Sequence, residues 1–256
     1  MTNRIRVGVV GAAGRMGSET LRALDSCEDM QLTLAVDTGE NVQSPLVGLS
    51  ITNFLPEPVE DCDVLVEFTH ADSATEHAVR AANSGVCPVI GASGLSRLQQ
   101  EEVSDACRLN GVGGILVPNF AIGAVLMMRF AEEAARWMPD AEVIEMHHDG
   151  KRDAPSGTGI YTAQLIASAR GEPGEDPTQV VKFEGARGAS VDGVHVHSVR
   201  LPGLVAHQQV MFGGPGEVLS IRHDSMSRSS FMEGVKLAVR KVQGLSDFVV
   251  GLDRLM

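Results

Sequence analysis

The chain has 256 residues, 43% of them hydrophobic and 21% charged, with a formal net charge of −12. Length and balance describe a globular chain of one large or two ordinary domains and exclude a disordered one. The acidic excess argues against a non-specific nucleic-acid binder, which carries a basic stripe; it leaves an anionic small ligand open, because local donors decide that. Along the chain, Ile5 to Val10 reads as a short buried strand, Gly11 to Gly17 as a glycine turn, and Ser18 to Asp25 as a helix with Leu21 and Leu24 on one face. Leu32 to Val36 is a second apolar strand that ends at Asp37. Asp63 to Phe68 is a third, and Ala71 to Ser84 a helix stopped at Gly85. Val86 to Ile90 is a strand closed by Gly91-Ala92-Ser93-Gly94, Leu98 to Leu109 a helix, and Gly114 to Val117 a strand. Strands alternating with helices at this pitch predict a parallel sheet covered on both faces.

The pattern then changes. Val125 to Trp137 reads as a long amphipathic helix stopped by Pro139, Glu142 to His147 as a strand, Gly157 to Arg170 as a helix, and Gly171 to Pro177 as a loop. Val194 to Leu201, Ala206 to Phe212 and Glu217 to His223 alternate apolar and polar residues, the pattern of half-buried antiparallel strands. Ser230 to Val242 returns to a helix. The expected fold class is therefore α/β: a nucleotide-binding domain, then a mixed α+β domain. No signal-peptide core and cleavage site follow the first ten residues. No apolar run approaches the ~20 residues that cross a bilayer. The expectation is a soluble, cytoplasmic protein. Cys27, Cys62, Cys87 and Cys107 form no C-x-x-C pair and read as small buried hydrophobes in a reducing compartment.

Two segments carry chemistry. Gly11-Ala12-Ala13-Gly14-Arg15-Met16-Gly17 fits G-x-x-G-x-x-G between a strand and a helix. Gly11 serves the tight turn, Gly14 the approach of a pyrophosphate, and Gly17 the close packing of helix on strand, while the helix start supplies N–H groups and partial positive charge. A glycine triplet alone is also just a turn. Asp37, about 20 positions on at the next strand end, adds an acid where an adenosine ribose is bound. A carboxylate there repels a 2′-phosphate, and no arginine follows in Thr38-Gly39-Glu40, which favours NADH; Arg15 keeps NADPH open.

The second segment runs from Glu145 through His147, His148, Lys151 and Asp153 to Ser156-Gly157-Thr158. Adjacent histidines in an extended segment point to opposite sides, and with no cysteine nearby no metal site is expected. Two histidines and a lysine within five positions suit proton handling, although a loop lysine is more often a solvated charge. Ser156 suits a helix cap. Either it does only that, or the N–H groups of Gly157 and Thr158 also bind a carboxylate.

Together, G-x-x-G-R-M-G near the start and E-x-H-H-x-x-K-x-D-A-P-S-G-T in mid-chain resemble the dihydrodipicolinate reductase family of bacterial lysine and diaminopimelate biosynthesis. Pro118-Asn119-Phe120 and Ser227-Arg228-Ser229-Ser230-Phe231 extend the resemblance over nearly the whole chain. Arg187 to Gly193 resembles the family's actinobacterial branch. The resemblance implies a Rossmann-type domain from residues 1–121 plus 229–256. It also implies a substrate-binding domain with a mixed sheet, residues 122–228, that builds a homotetramer. It implies reduction of 4-hydroxy-tetrahydrodipicolinate by NADH or NADPH, without a metal. By the same resemblance His147 is the catalytic histidine, Lys151 the proton donor, and His148, Gly157 and Thr158 hold the substrate carboxylates. Gly11, Ala12, Ala13, Gly14, Arg15, Met16, Gly17, Asp37, Gly91, Ala92, Ser93, Val117, Pro118, Asn119 and Phe120 hold the cofactor. Residue chemistry alone does not say which of His147 and Lys151 gives up the proton.

Two departures stand out. Gly91-Ala92-Ser93-Gly94 replaces the common Gly-Thr-Thr-Gly, and Glu67-Phe68-Thr69 replaces Asp-Phe-Thr. A rival of the aspartate-semialdehyde dehydrogenase kind needs a thiolate in its second domain, whereas every cysteine here precedes residue 108. A non-catalytic NAD sensor has no use for the segment from His147 to Thr158.

Overall fold

The computed structural model describes residues 4–38, 48–173, 176 and 178–256. The expected Gly39-Glu40 pair and part of the Gly171–Pro177 loop lie outside them. The chain divides into two compact units, Met1–Phe120 with Arg228–Met256, and Ala121–Ser227.

The first unit opens with β1 (Ile5–Val10), α1 (Arg15–Asp25), β2 (Met30–Val36) and β3 (Val64–Glu67), then α2 (Ala71–Asn83), β4 (Cys87–Ile90), α3 (Arg97–Asn110) and β5 (Gly114–Leu116). The second unit holds α4 (Ile122–Ala135), β6 (Asp140–His147), α5 (Gly157–Ala169), β7 (Ala189–Val191), β8 (Val194–Arg200), β9 (Ala206–Gly214) and β10 (Glu217–Ser225). The chain then returns to the first unit through a 3-10 turn (Arg228–Phe231), α6 (Met232–Lys241) and β11 (Phe248–Val250).

In the first unit six parallel strands lie in the order β11-β5-β4-β3-β1-β2. All four residues of β3 and of β4 are buried. Helices cover both faces, so these strands read as unbroken apolar runs. Helix boundaries follow local chemistry. Ser96 and Gln99 form a reciprocal capping box at the start of α3, and Gly111, in the left-handed region, ends it.

In the second unit five strands lie in the order β10-β9-β6-β8-β7. Ala131 and Ala135 of α4 and Ala163 and Ile166 of α5 pack on Val143, Val194, Val196, Val210 and Phe212. The helices thus bury one face of the sheet.

The sheet is mixed, as the resemblance implies, but the reading of Val194 to Leu201 as one of three antiparallel strands needs correction. β9 and β10 are antiparallel to their neighbours, but β8 runs parallel to β6. The intervening α5 carries the chain back to the starting end, as parallel pairing requires. β10 is half-buried only in its second half: Glu217 to Ser220 are all exposed, while Ile221, His223 and Ser225 are covered between exposed neighbours. The long helix α4 begins before the expected Val125 and ends before Trp137. Its last turn tightens through N–H bonds from Arg136 to Glu133 and from Trp137 to Ala134, as the approaching Pro139 demands. β7 and β11, three residues each, were not anticipated.

Candidate active site

The residues expected to hold a cofactor gather at the carboxyl end of the parallel sheet. β1 runs into Gly11, whose φ of 76° suits glycine. The N–H groups of Gly11 and Ala12 both donate to the Val36 carbonyl, at 2.9 and 3.0 Å, which pins the turn to the end of β2. Asp37, next in the chain, accepts the Ala13 N–H at 2.9 Å. The acid therefore anchors the turn as well as standing beside it. Gly17 brings α1 against the turn: a Cβ there would lie 2.7 Å from Ala12 Cα. No side chain caps α1, and Ala13, Gly14 and Arg15 are exposed, with Met16 partly so.

Gly91, Ala92 and Ser93 follow β4, and Val117, Pro118, Asn119 and Phe120 follow β5. The Val117 N–H donates to the Ile90 carbonyl. Phe68 and Phe120 meet edge to face at 5.8 Å, and a Cβ on Gly91 would strike both rings. Ala92 is buried and Ser93 exposed, so the lost hydroxyl of the common Gly-Thr-Thr-Gly falls on an inward position. Glu67 is also buried; it accepts the Thr69 N–H and bonds His77 Nδ1 at 2.8 Å. β1 lies between β2 and β3, so the chain reverses its direction of travel across the sheet there. Ligands of open α/β sheets bind at such a switch point. The exposed, side-chain-free Gly14, the uncapped α1 and the anchored Asp37 fit a dinucleotide.

In the second unit the expected substrate residues cluster at the end of β6 and the start of α5. Their centre is Glu145, which is fully buried. One of its oxygens meets His147 Nδ1 at 2.5 Å. Arg200 grips both oxygens, at 2.9 and 2.8 Å, and the Ser156 N–H donates to Oε1 at 3.2 Å. Burial alone would raise the Glu145 pKa. The hydrogen bonds from His147, Arg200 and Ser198 outweigh it and hold the carboxyl at about 2. Ser156 caps α5 by accepting the Gly159 N–H at 3.1 Å. Gly159 permits the fit, since a Cβ there would lie 3.3 Å from Glu145 Cγ.

Gly157 is exposed with open space where a Cβ would stand, and Thr158 is partly exposed. His148 sits outside the strand in a turn closed by the Lys151 N–H donating to its carbonyl. Lys151 Nζ bonds both Asp153 oxygens, at 2.9 and 3.0 Å. That hydrogen bond, with the lysine's charge, holds the Asp153 pKa below its ordinary value. The structure thus brings His147, Ser156 and the Lys151 loop around one network and pairs Lys151 with Asp153.

Glu145 and Arg200 were missed as functional residues. Glu145 lies two positions before His147 on a strand, hence on the same face, and that spacing was a usable signal. Arg200 faces His147 across the parallel β6–β8 pair, which nothing local announces. Burial pushes the thiols of Cys62 and Cys107 up to about 12, so neither supplies a thiolate nucleophile. Among the described residues no group of three or more His, Cys, Asp or Glu side chains could hold a metal ion. No described helix is long and apolar enough to cross a membrane.

Two family models cover the chain: "Dihydrodipicolinate reductase, N-terminus" at residues 5–120 and "Dihydrodipicolinate reductase, C-terminus" at residues 123–256. A 4-hydroxy-tetrahydrodipicolinate reductase of Desulfitobacterium hafniense is 44% identical over 99% of each chain. One from Moorella thermoacetica is 46% identical over 100% of this chain and 99% of its own. Among solved structures, the dipicolinate-bound dihydrodipicolinate reductase of a Paenisporosarcina species aligns with a TM-score of 0.87 and 40% identity, over 99% of this chain and 100% of that one. GenD2 from gentamicin A biosynthesis, solved in complex with NAD, shares the fold with a TM-score of 0.67 at 16% identity, over 100% of this chain and 91% of that one.

Proposed function

The chain belongs to the dihydrodipicolinate reductase family, and we propose from that premise that it reduces 4-hydroxy-tetrahydrodipicolinate to tetrahydrodipicolinate in lysine biosynthesis through diaminopimelate. The observation that carries this reading is the meeting of His147, the Lys151 loop and the start of α5 around the buried Glu145. A ring with two carboxylates needs local cationic and N–H donors, because the net charge of −12 opposes its approach. The helix start at Gly157 and Thr158 is one anion site, and His148 with Lys151 forms the other.

As a family member the chain is an oxidoreductase with a nicotinamide cofactor. When bound, the cofactor supplies a hydride. Gly11 to Gly17 hold its pyrophosphate, Asp37 its ribose, and the segments Gly91–Ser93 and Val117–Phe120 the remainder. Asp37 favours NADH, and the exposed Arg15 extends use to NADPH. The ring loses water to give a conjugated diene-imine. Addition of hydride at C4 moves electrons toward the ring nitrogen and leaves an enamine that must be protonated. Lys151 gives that proton after exchanging Asp153 for the substrate, and His147 beside it stabilises the developing charge.

Among the described residues of the second unit, the helices pack on one face of the sheet. On the other, Glu142 bonds His197 at 2.8 Å and pairs with Arg187, and shares that face with Ile144, Met146 and Met211. This face builds the homotetramer. Free, largely buried cysteines suit the cytoplasm.

The deciding experiment is turnover with NADH and freshly made 4-hydroxy-tetrahydrodipicolinate, followed at 340 nm. Oxidation that depends on the ring substrate supports the reading. Bound NADH with no turnover refutes it and leaves a nucleotide-binding protein.

A further inference from the structure

We propose that Glu145, gripped by Arg200, is a positioning residue that fixes the working tautomer of His147 and ties the two halves of the substrate site to one point. The proposal rests on the functional reading above, which places His147 at the substrate. Glu145 accepts from His147 Nδ1, Arg200 Nη1, Arg200 Nη2 and the Ser156 N–H, and Ser198 adds a further bond. A carboxylate has about four acceptor sites, so this one is full. Because Nδ1 donates to Glu145, the ring nitrogen left to meet substrate is Nε2. The Ser156 bond holds the first turn of α5, and with it Gly157 and Thr158, at a fixed distance from that ring.

Arg200 extends the tie. Its Nη2 donates to the Asp153 main-chain oxygen at 2.7 Å, and Nη1 to the Val199 oxygen at 2.7 Å. Asp153 in turn holds Lys151. One buried carboxylate therefore links the histidine, the anion-binding helix start and the lysine loop. The charged groups that hydrogen bonds link to His147 are Glu145 on its own strand, Arg200 opposite on β8 and, through the Asp153 main chain, the Lys151–Asp153 pair.

A purely structural ion pair makes a different forecast, and the two separate in two measurements. The first uses the intact enzyme. Nitrogen-15 NMR of the His147 ring is expected to find the neutral ring's proton on Nδ1, with Nε2 bare. A neutral ring carrying its proton on Nε2 overturns the proposal, whatever any variant does. The second is Glu145→Gln, which keeps the shape and removes the charge. Expected are a fall in kcat on the order of 10²-fold, a limb of the kcat/KM profile moved to lower pH, weaker pyridine-2,6-dicarboxylate binding and an unchanged NADH Kd. Glu145→Asp, with the charge restored, is expected to recover the pH profile. An unmoved profile, with kcat/KM falling only in step with Tm, overturns the proposal in favour of a structural pair. If Glu145→Gln does not fold, Glu145→Gln with Arg200→Gln removes both charges together, and the NMR result decides alone. Wild-type enzyme that never turns over the ring substrate defeats the functional reading, while the tautomer measurement still stands.

Discussion

Replacing Gly17 by alanine probes the cofactor turn where backbone meets backbone. The added Cβ would lie 2.7 Å from both Ala12 Cα and Gly11 C, and closer still to the Gly11 oxygen. Carbon atoms in contact sit at about 3.5–4.0 Å, so α1 must retreat from the turn by about an ångström or more. No side chain is there to swing aside. Overpacking a filled site costs about 1–3 kcal/mol, and this contact belongs at the upper end. At ~3 kcal/mol the transition that reports the first unit falls by roughly 6–12 °C. The same retreat draws the first N–H groups of α1 away from a pyrophosphate. Losing one charge-assisted hydrogen bond costs ~1.5–3 kcal/mol, so the NADH Kd rises about ten- to a hundredfold. Gly14→Ala is the contrast, because a Cβ there meets only the Gly11 oxygen, at 3.1 Å. It should leave Tm nearly unchanged and still weaken NADH, since the methyl stands in the pyrophosphate's approach. Differential scanning fluorimetry and NADH fluorescence titration read both quantities. A Gly17→Ala protein with wild-type Tm and Kd would refute the packing argument.

Lys151→Ala should lower kcat by about 10²-fold or more with NADH binding intact, and near-normal turnover removes Lys151 as the proton donor. Asp37→Ala should raise the KM for NADH while sparing or improving NADPH; an unmoved ratio of the two kcat/KM values would mean that Asp37 does not read the ribose. Pyridine-2,6-dicarboxylate should inhibit about ten- to a hundredfold better than pyridine-2-carboxylate, the worth of one charged anchor. Thr158→Val should narrow that gap, and equal inhibition by both compounds defeats the two-carboxylate site. Finally, Glu145 sits at about 2 in the folded chain against an ordinary 4.5. A depressed folded pKa stabilises fully above the unfolded value and ceases to as pH falls through the folded one. Wild type should therefore lose ~3 kcal/mol between about pH 4.5 and 2, and acid titration of Glu145→Gln should show a flatter slope there.

The first unit was legible because its strands and helices carry their own periods. The β1 turn also announces itself through Gly11, Gly14 and Gly17, and the acid at Asp37 follows at the expected distance. What the acid does to the turn was not legible, since the Ala13 N–H that it accepts belongs to a different strand connection. In the second unit the segment from His147 to Thr158 was found as a string of chemical groups, but its centre was not. Glu145 reads as one more polar residue until Arg200 arrives beside it across a parallel pair. Strand direction there depends on where α5 delivers the chain, and no local pattern encodes that. β11 escaped notice because three residues give too short a run for any period to register.

The return of the chain to complete the first sheet has a consequence for how the protein is made. β5 pairs with β4 on one side and waits for β11 on the other, and the ribosome delivers β11 only after the entire second unit. At about 5–20 residues per second the open strand edge stands uncovered for on the order of ten seconds. The second unit is contiguous and its five sheet strands pair with one another, so it can fold during that interval. The nascent chain thus carries a finished insert beside an unfinished sheet, and the short, three-residue β5 limits how much of that edge a neighbouring nascent chain can capture.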